Sequence, residues 1–339
     1  MNIKIGKKII SDKTKTFIIA EACENHLGSM KSAFKMIDLA KKCDVDAIKF
    51  QHHIPDDEML KKVPKSKNFS ISLYEFLKKN SLSLNQHIIL KKYCDDKKIL
   101  YLCTPFSYSA AKEINKLVPA FKIGSGELLD HPSLLKIAKF KKPMIVSTGM
   151  SLEKEIFETY NILKNKVPLI LMNCISEYPP IYEDLNLNYI RIMKKKFKNA
   201  IIGHSDHTNE IYSSIAAVAL GAKVIEKHVT LDQTADCPDK DVSISFDQLS
   251  SLVKGIRKIE KSLGAIKKVH KKEIPIRKWA HRSIVSIKNV EINERLSIEN
   301  ITTKRPGIGI PAKFFKKFLG KKAKRFIHKD TLLSNKDIK

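Results

Sequence analysis

Eight short apolar runs recur along the first 230 residues, and longer amphipathic segments separate them. The runs lack strict alternation of apolar and polar residues, which is typical of strands buried on both faces. They are FIIAEA (17–22), AIKFQ (47–51), LYLCTP (100–105), AFKIGS (120–125), MIVST (144–148), LILMNC (169–174), AIIGHSDH (200–207) and KVIEKHVT (223–230). The pattern predicts eight strands of a parallel sheet.

The segments between these runs have the spacing of helices. Stretches such as SAFKMIDLAKKC and NEIYSSIAAVALG carry apolar residues at i, i+3 and i+4, so one face of each helix would pack on the sheet. Eight strand–helix units in about 250 residues match a (β/α)8 TIM barrel. A doubly wound sheet is the alternative fold, but no G-x-G-x-x-G motif follows the first strand. We therefore predict an α/β protein built on a closed barrel.

The pattern changes after the helical segment SFDQLSSLVKGIRKIEKSLG. Short β-like pieces such as SIVSIKNV and AKRFIHKDTLLS follow a stretch that holds the single tryptophan. We predict a barrel domain over residues 1–265, a linker over 266–280 and a small β-rich domain over 281–339. A domain of about 60 residues is near the size at which a lone core is marginal, so docking onto another surface would stabilise it.

The charge of the chain is strongly basic, at +27. Residues 265–339 contain 21 Lys and Arg against 6 Asp and Glu, a net +15 that leaves +12 for the rest. These lysines alternate with apolar residues, as in FFKKFLGKKAKRFI, and not with the aromatic residues that stack on bases, which disfavours a nucleic-acid partner.

No run approaches the roughly 20 apolar residues of a membrane helix. The N-terminus lacks the apolar core of a signal peptide, and the six cysteines form no C-x-x-C motif, so we expect a cytoplasmic protein with reduced thiols.

Polar side chains stand at the carboxyl end of every predicted strand, where TIM barrels carry their active sites. They are Glu21, Lys49, Gln51, Thr104, Lys122, Ser125, Glu127, Ser147, Ser176, Tyr178, Ser205, Asp206, His207 and His228. Two lysines are costly to bury unpaired, whereas a bound phosphate and carboxylate would satisfy both, and serine and threonine hydroxyls suit phosphate oxygens. Cys103 and Cys174 are expected to be apolar fillers.

His207 and His228 end the seventh and eighth predicted strands, which are neighbours in a closing barrel. Two neutral imidazoles, with waters or carboxylates, describe a divalent transition-metal site. A core histidine bonded to the backbone is the alternative for either residue. We leave His204 out of the site because it lies two residues before Asp206 and is expected to face elsewhere.

The ordered motifs IIAEACENHLGS, AIKFQ, CTPFS, FKIGSGE, IVSTGM, SEYP, GHSDHT, ALGAKVIEKHVTLD, CPDKDVSIS and KRPGIGIP resemble the sialic acid synthases over nearly the whole chain. The resemblance implies a TIM barrel followed by an antifreeze-like SAF domain. It also implies an enzyme that condenses phosphoenolpyruvate with an N-acyl amino sugar to give a 2-keto acid and phosphate. In such a family the chains form a domain-swapped homodimer, in which the small domain caps the partner's site.

The resemblance implies roles for individual residues. Phosphoenolpyruvate would be held by Lys49, Gln51, Thr104, Lys122, Ser125, Ser147 and Ser205. Other substrate contacts would come from Asn68, Phe106, Glu127, Ser176, Tyr178, Asp239 and, from the partner chain, Arg305. His207 and His228 would bind a divalent ion, Mn2+ or Mg2+, that acts as Lewis acid on the sugar aldehyde, with Glu21 close by.

Two departures from the expected motifs leave the sugar open. The first motif is EACENH where EAGINH or similar is expected, and Ser176 stands where some sialic acid synthases have Asn. N-acetylmannosamine, its 6-phosphate and a 2,4-diacetamido sugar all remain candidates. Glu21 and Glu127 are both candidate general acid/base groups. A Schiff-base pyruvate aldolase that uses Lys122, and an ice- or nucleic-acid-binding role for the basic terminal domain, are the rival functions.

Overall fold

The protein is described from a computed structural model that covers residues 1–62, 71–234, 237 and 239–339. It divides into two compact units, Met1–Gly264 and Ala265–Lys339. Among the described residues no helix combines the length and apolar character needed to cross a bilayer.

The first unit is a closed barrel of eight parallel strands, as the apolar runs predict. The strands are β3 (Phe17–Glu21), β4 (Ala47–His52), β5 (Leu100–Pro105), β6 (Phe121–Ile123), β7 (Met144–Ser147), β8 (Leu169–Cys174), β9 (Ala200–Asp206) and β10 (Val224–His228). The barrel closes where β10 pairs with β3, and His228 lies opposite Glu21 in that register. The last barrel strand, β10, therefore places His228 beside the carboxyl end of the first barrel strand, β3.

Two hydrophobic clusters explain why the strands are apolar on both faces. Phe17, Ile19 and Ala47 belong to a cluster inside the barrel, whereas Ile18 and Ile48 belong to the larger cluster between strands and helices. Successive residues of a strand point to opposite faces. The interior face that holds Phe17 and Ile19 therefore continues to Glu21 at the end of the same strand.

The helices of the first unit lie between the strands. They are α1 (Met30–Lys42), α2 (Pro55–Glu58), α3 (Leu73–Asn80), α4 (Leu84–Asp96), α5 (Tyr108–Ile114), α6 (His131–Ala138), α7 (Glu153–Leu163), α8 (Tyr189–Lys196), α9 (Tyr212–Ala219) and α10 (Phe246–Ser262). Serine side chains accept the free backbone N–H groups at several helix starts, among them Ser29, Ser83 and Ser245. These caps fix the points at which the loops from the strand ends return to helix.

A hairpin of β1 (Ile3–Ile5) and β2 (Lys8–Ile10) precedes the barrel, and the sequence pattern does not predict it. Its three-residue strands are shorter than the pattern needs to show a period, and lysines interrupt them. Ile3, Ile5 and Ile10 are buried against the residues at the amino-terminal ends of the barrel strands, such as Phe17. The hairpin therefore closes the end of the barrel opposite the strand ends that carry polar residues.

The second unit has its own small core, which includes Ile284, Val290, Leu296 and Phe318. Its elements are helix α11 (Glu273–Ala280), the antiparallel pair β11 (Ser283–Ser286) and β12 (Ile301–Lys304), and helix α12 (Phe315–Phe318). The segment predicted as a plain linker over 266–280 thus contains a helix. Its apolar side chains, those of Ile274, Ile276 and Trp279, are exposed. They do not form the buried face of a core helix, and the segment was therefore predicted as a linker.

Candidate functional site at the carboxyl ends of the barrel strands

A cavity of about 280 Å³ opens at the carboxyl ends of the strands. Most of its lining residues are polar. It is lined by Glu21, Lys49, Gln51, Thr104, Phe106, Lys122, Gly124, Ser125, Gly126, Glu127, Ser147, Met150, Cys174, Ser176, Tyr178, Ser205, His207, Glu226 and His228. The structure thus brings together one polar group from each strand end. A larger groove beside the hairpin, lined by exposed lysines such as Lys7 and Lys98, has no comparable set of buried polar groups among the described residues.

Two buried lysines dominate the floor of the cavity. The Nζ of Lys49 lies 2.5 Å from Oε2 of Glu21 and donates to Oγ1 of Thr104 at 2.7 Å. Burial acts to lower the pKa of Lys49, but Glu21 and Glu226 outweigh it and the pKa is raised. The Nζ of Lys122 lies 3.0 Å from Oε1 of Glu226. Both lysines therefore form ion pairs with buried carboxylates of the protein itself.

Glu226 is the residue that the sequence reasoning missed. Its Oε1 accepts from Lys122 and from Oγ of Ser205, at 3.0 and 3.2 Å, and lies 3.7 Å from Lys49. Burial acts to raise the pKa of Glu226, but the two lysines outweigh it and the pKa is lowered. The signal was present, because Glu226 stands two residues before His228 on one strand and must share its interior face.

Hydroxyl groups surround the lysines. Oγ of Ser147 is buried and has no hydrogen-bond partner among the described residues. Oγ of Ser125 accepts from the backbone N–H of Gly149 at 3.1 Å. A Cβ atom at position 149 would overlap Oγ of Ser176, so the loop needs glycine there for a close approach. These hydroxyls, with Ser205, form a set of neutral donors beside the two cations.

The two predicted histidines come together on the other side of the cavity. The ring centroids of His207 and His228 are 5.1 Å apart, and the ring of Tyr178 stacks on His207 at 4.4 Å. One nitrogen of His207, Nδ1, lies 2.7 Å from the carbonyl of Ile175, and its Nε2 lies 3.3 Å from the Tyr178 hydroxyl. His204 is buried elsewhere, with Nδ1 3.0 Å from the Asn173 carbonyl, and does not line the cavity.

Of the two histidines, His228 offers a cation a donor atom that is free in the described part of the chain, whereas both ring nitrogens of His207 have partners. Burial and the neighbouring His207 and Lys49 hold the pKa of His228 well below its usual range, so its imidazole is neutral. Its Nδ1 is buried and has no hydrogen-bond partner in the described ranges. Ligand atoms of His228, Cys23 and Asp239 lie within 4.8 Å of one another. Neutral imidazole, thiol and carboxylate donors of this kind fit a divalent metal ion.

Glu127 lies in the loop after β6, on the side of the cavity away from the histidines' strands. Burial, with a smaller contribution from Glu58, raises its pKa to about 7. Its Oε2 has no hydrogen-bond partner among the residues described, and a Cβ atom at Gly124 would overlap that oxygen. The ring of Phe106 also lines the cavity and stacks on His53 at 4.2 Å.

Cys174 differs from the apolar filler that the sequence suggests. Its Sγ lies 4.0 Å from Nδ1 of His207 and accepts from Ser125 at 3.7 Å. Burial acts to raise the pKa of this thiol, but His207 outweighs it and the pKa is lowered. Cys103, by contrast, is buried in the cluster between strands and helices, and burial raises its pKa.

Asp239, one of the predicted contacts, does not line this cavity. Asn68 lies outside the residues that the structure describes. Asp239 lies at the start of a short 3-10 helix, and its carboxylate accepts from the Cys23 thiol. Arg305 lies in the second unit, where its Nε donates to the carbonyl of Ala280 at 3.2 Å and its guanidinium lies over the ring of Trp279.

Comparison with known proteins decides the family. A model described as the NeuB family matches residues 36–268, and a model of the SAF domain matches residues 281–339. The chain belongs to the NeuB family. The fold and the family are thus those that the sequence motifs predict.

Relatives in this NeuB family carry names of acidic-sugar synthases. The chain is 39% identical to N,N'-diacetyllegionaminic acid synthase of Campylobacter jejuni, over 94% of this chain and 99% of the relative. It is 37% identical to a pseudaminic acid synthase of Campylobacter jejuni, over 96% and 97% of the two chains. Among solved structures it is similar to the sialic acid synthetase of Leptospira borgpetersenii in complex with citrate, with 31% identity, a TM-score of 0.74 and coverage of 81% and 95%.

Proposed function

We propose that the chain is a nonulosonic acid synthase that condenses phosphoenolpyruvate with an N-acyl amino sugar and releases phosphate. The observation that carries this proposal is the pair of buried ammonium groups, Lys49 and Lys122, ringed by hydroxyls at the mouth of a NeuB-family barrel. Phosphoenolpyruvate has a phosphate and a carboxylate on adjacent atoms, and two nearby cations suit those two groups.

The carboxylates beside the lysines define how the anion would bind. In the structure Glu21 and Glu226 neutralise Lys49 and Lys122. A trianionic substrate brings more negative charge, and Glu21 can take up a proton because burial raises its pKa to about 7. Glu226, whose pKa is lowered, would stay ionised and keep both ammonium groups oriented. We therefore expect uptake of about one proton when phosphoenolpyruvate binds near neutral pH.

The sugar would bind between the two histidines on one side of the cavity and Glu127 on the other. When a divalent ion is bound by His207 and His228, it supplies Lewis-acid polarisation of the sugar aldehyde. Tyr178, Phe106, Ser176, Asp239 and Glu127 would contact the sugar, and Asn68 is assigned with them from the resemblance alone. C3 of phosphoenolpyruvate then bonds to the aldehyde carbon, water adds at C2, and the C2–O bond to phosphate breaks. Glu127, the less constrained of the two raised carboxyls, is our candidate for moving the proton.

The rival Schiff-base reaction is disfavoured by the state of the lysines. An imine-forming lysine must be a neutral amine when it attacks the carbonyl carbon. Lys49 and Lys122 are each in contact with a buried carboxylate, which favours the ammonium form. Borohydride in the presence of pyruvate should therefore trap no adduct on either lysine.

The proposed assembly is a homodimer in which Arg305 of one chain reaches the sugar in the partner's barrel. Support comes from the exposed apolar side chains Ile274, Ile276 and Trp279 on α11, which a partner surface would cover. We also propose a cytoplasmic location, because six free cysteines suit a reducing compartment.

Assays with a panel of acceptors test the function. Phosphate release and 2-keto acid formation from phosphoenolpyruvate should require one of N-acetylmannosamine, its 6-phosphate or a 2,4-diacetamido sugar. Chelation should abolish turnover, and Mn2+ should restore it. His228→Ala should lower kcat/KM by about 100-fold or more, whereas the exposed His270→Ala matches the wild type. A chelated protein with full activity, or no phosphate release with any acceptor, would contradict the proposal.

A further inference from the structure

Cys23 is a buried thiol at the mouth of the barrel that the proposed reaction does not use. It follows β3 by two residues, and its backbone has a positive φ of 48°. That left-handed conformation favours glycine and strains other residues by about 1 kcal/mol or more. Strained residues cluster at functional sites, which makes the presence of a side chain here informative.

The register of the barrel explains which groups surround this thiol. His228 pairs with Glu21 across β10 and β3, so the residues just after Glu21 lie next to the histidine. Ligand atoms of Cys23, His228 and Asp239 all lie within 4.8 Å of one another. Donors that surround one zinc-sized ion tetrahedrally are about 3.3 to 3.8 Å apart, given bonds of roughly 2.0 to 2.3 Å. Side-chain shifts of about 1 Å would therefore bring the three donors to one ion, with the Cys23 thiol and the Asp239 carboxylate moving apart.

A second observation points independently to a ligand at this place. His228 is 5% exposed, and its Nδ1 has no hydrogen-bond partner among the described residues. Buried polar atoms are normally paired, so such an atom needs a ligand or an ion. The carboxyl groups of Glu21, Glu24 and Asp239 also lie around Cys23. Both oxygens of Glu24 lack a hydrogen-bond partner among the described residues and lie 3.8 and 3.9 Å from the nearest histidine nitrogens. A cation would be stabilised in this field.

We propose that Cys23 is a protein ligand of the divalent ion, beside His228 and His207, and that its thiolate makes the site select Zn2+, Co2+ or Fe2+ over Mg2+. The location of the ion rests on the proposed function, whereas the identity of the ligand is new. On binding, the S–H bond breaks and an S–metal bond forms, and the proton passes to Oδ2 of Asp239, which already accepts from this thiol, or to solvent. Soft thiolate ligands favour thiophilic ions, and Mg2+ prefers oxygen donors.

Cobalt spectroscopy of the full chain tests the ligand without any activity measurement. Co2+ added to the metal-free protein should give an intense near-ultraviolet sulfur-to-cobalt charge-transfer band. Cys23→Gly should lose the band and bind Co2+ about 10- to 100-fold more weakly. Glycine suits the positive φ, so this variant should keep the wild-type melting temperature. Cys23→Ser should also lose the band, because an oxygen replaces the sulfur.

Cys174→Ala is the matched control, because Cys174 is the other thiol beside the histidine pair. The band should survive in this variant. Persistence of the band in Cys23→Gly, its loss in Cys174→Ala alone, or its absence from wild-type protein that binds Co2+ would each overturn the proposal.

The outcome can be separated from that of the proposed function. Wild-type protein that binds Co2+ without the band but releases phosphate would remove Cys23 from the site and leave the synthase intact. The band without phosphate release from any acceptor would establish the thiolate ligand and contradict the synthase.

Discussion

At the scale of single residues, the site depends on which buried acids are charged. Glu21 and Glu226 both contact buried lysines, yet burial raises the pKa of Glu21 to about 7 while the two lysines keep the pKa of Glu226 low. Glu127 also has a pKa of about 7, but its Oε2 has no partner among the described residues. A group with a pKa near the working pH and a free oxygen is suited to accept and return a proton.

The raised pKa of Glu127 predicts a pH-dependent loss of stability. Its pKa is about 4.5 when unfolded and about 7 when folded, so between these values the native state binds more protons and stability falls as pH rises. From pH 4.5 to pH 8 the wild type should lose about 1 to 3 kcal/mol of unfolding free energy relative to Glu127→Gln. Urea denaturation across this range measures the difference, with Glu158→Gln on the surface as control. Parallel curves for wild type and Glu127→Gln would show that the carboxyl is not perturbed.

At the scale of elements, the two-residue period of each strand determines which of its side chains line the site. Lys49 follows Ala47 by two residues, Thr104 follows Leu102, and Ser147 follows Ile145; all three apolar residues belong to the interior cluster. The face that packs the barrel interior therefore becomes polar at the last residues of the strands. This is why apolar runs with polar ends were enough to predict the barrel and most of its cavity.

The remainder of the site could not be predicted from the pattern, for physical reasons. The spacing of Glu226 to His228 indicates its interior face, but its pairing with Lys122 across the barrel cannot be predicted from the pattern. Cys23 depends on a left-handed backbone and on a contact with Asp239, which is 216 residues away in sequence. The hairpin at Ile3–Ile5 and Lys8–Ile10 is too short to show a period. Long-range contacts and loop conformation thus account for what was missed.

At the scale of the whole molecule, the chain consists of two units with different charge. The second unit, with a net +15 over residues 265–339, carries Arg305 next to a cluster of exposed apolar residues on α11. Docking would stabilise a small basic domain with an exposed apolar face, and in the proposed two-fold dimer this domain would cap the neighbouring barrel. In such a cap Arg305 would bring a positive charge to the cavity, where the acceptor sugar is proposed to bind beside Glu127 and Asp239.

Mixing two defective chains tests this arrangement. Arg305→Ala alone should raise the sugar KM and leave the phosphoenolpyruvate KM nearly unchanged. After subunit exchange with His228→Ala, a heterodimer holds both defects in one site and none in the other. Random pairing then restores about one quarter of the wild-type sites. Proven exchange without recovery would show that Arg305 acts within its own chain or not at all.

We propose that this site joins C3 of phosphoenolpyruvate to an aldehyde and breaks the C2–O bond. Phosphoenolpyruvate labelled with 18O in the bridging position, incubated with the accepted sugar and analysed by mass spectrometry, tests it most directly. The account predicts that the label leaves with phosphate and that a 2-keto acid with the combined carbon skeleton forms in equal amount. Label retained in an organic product, or phosphate formed without the condensed acid, would contradict it.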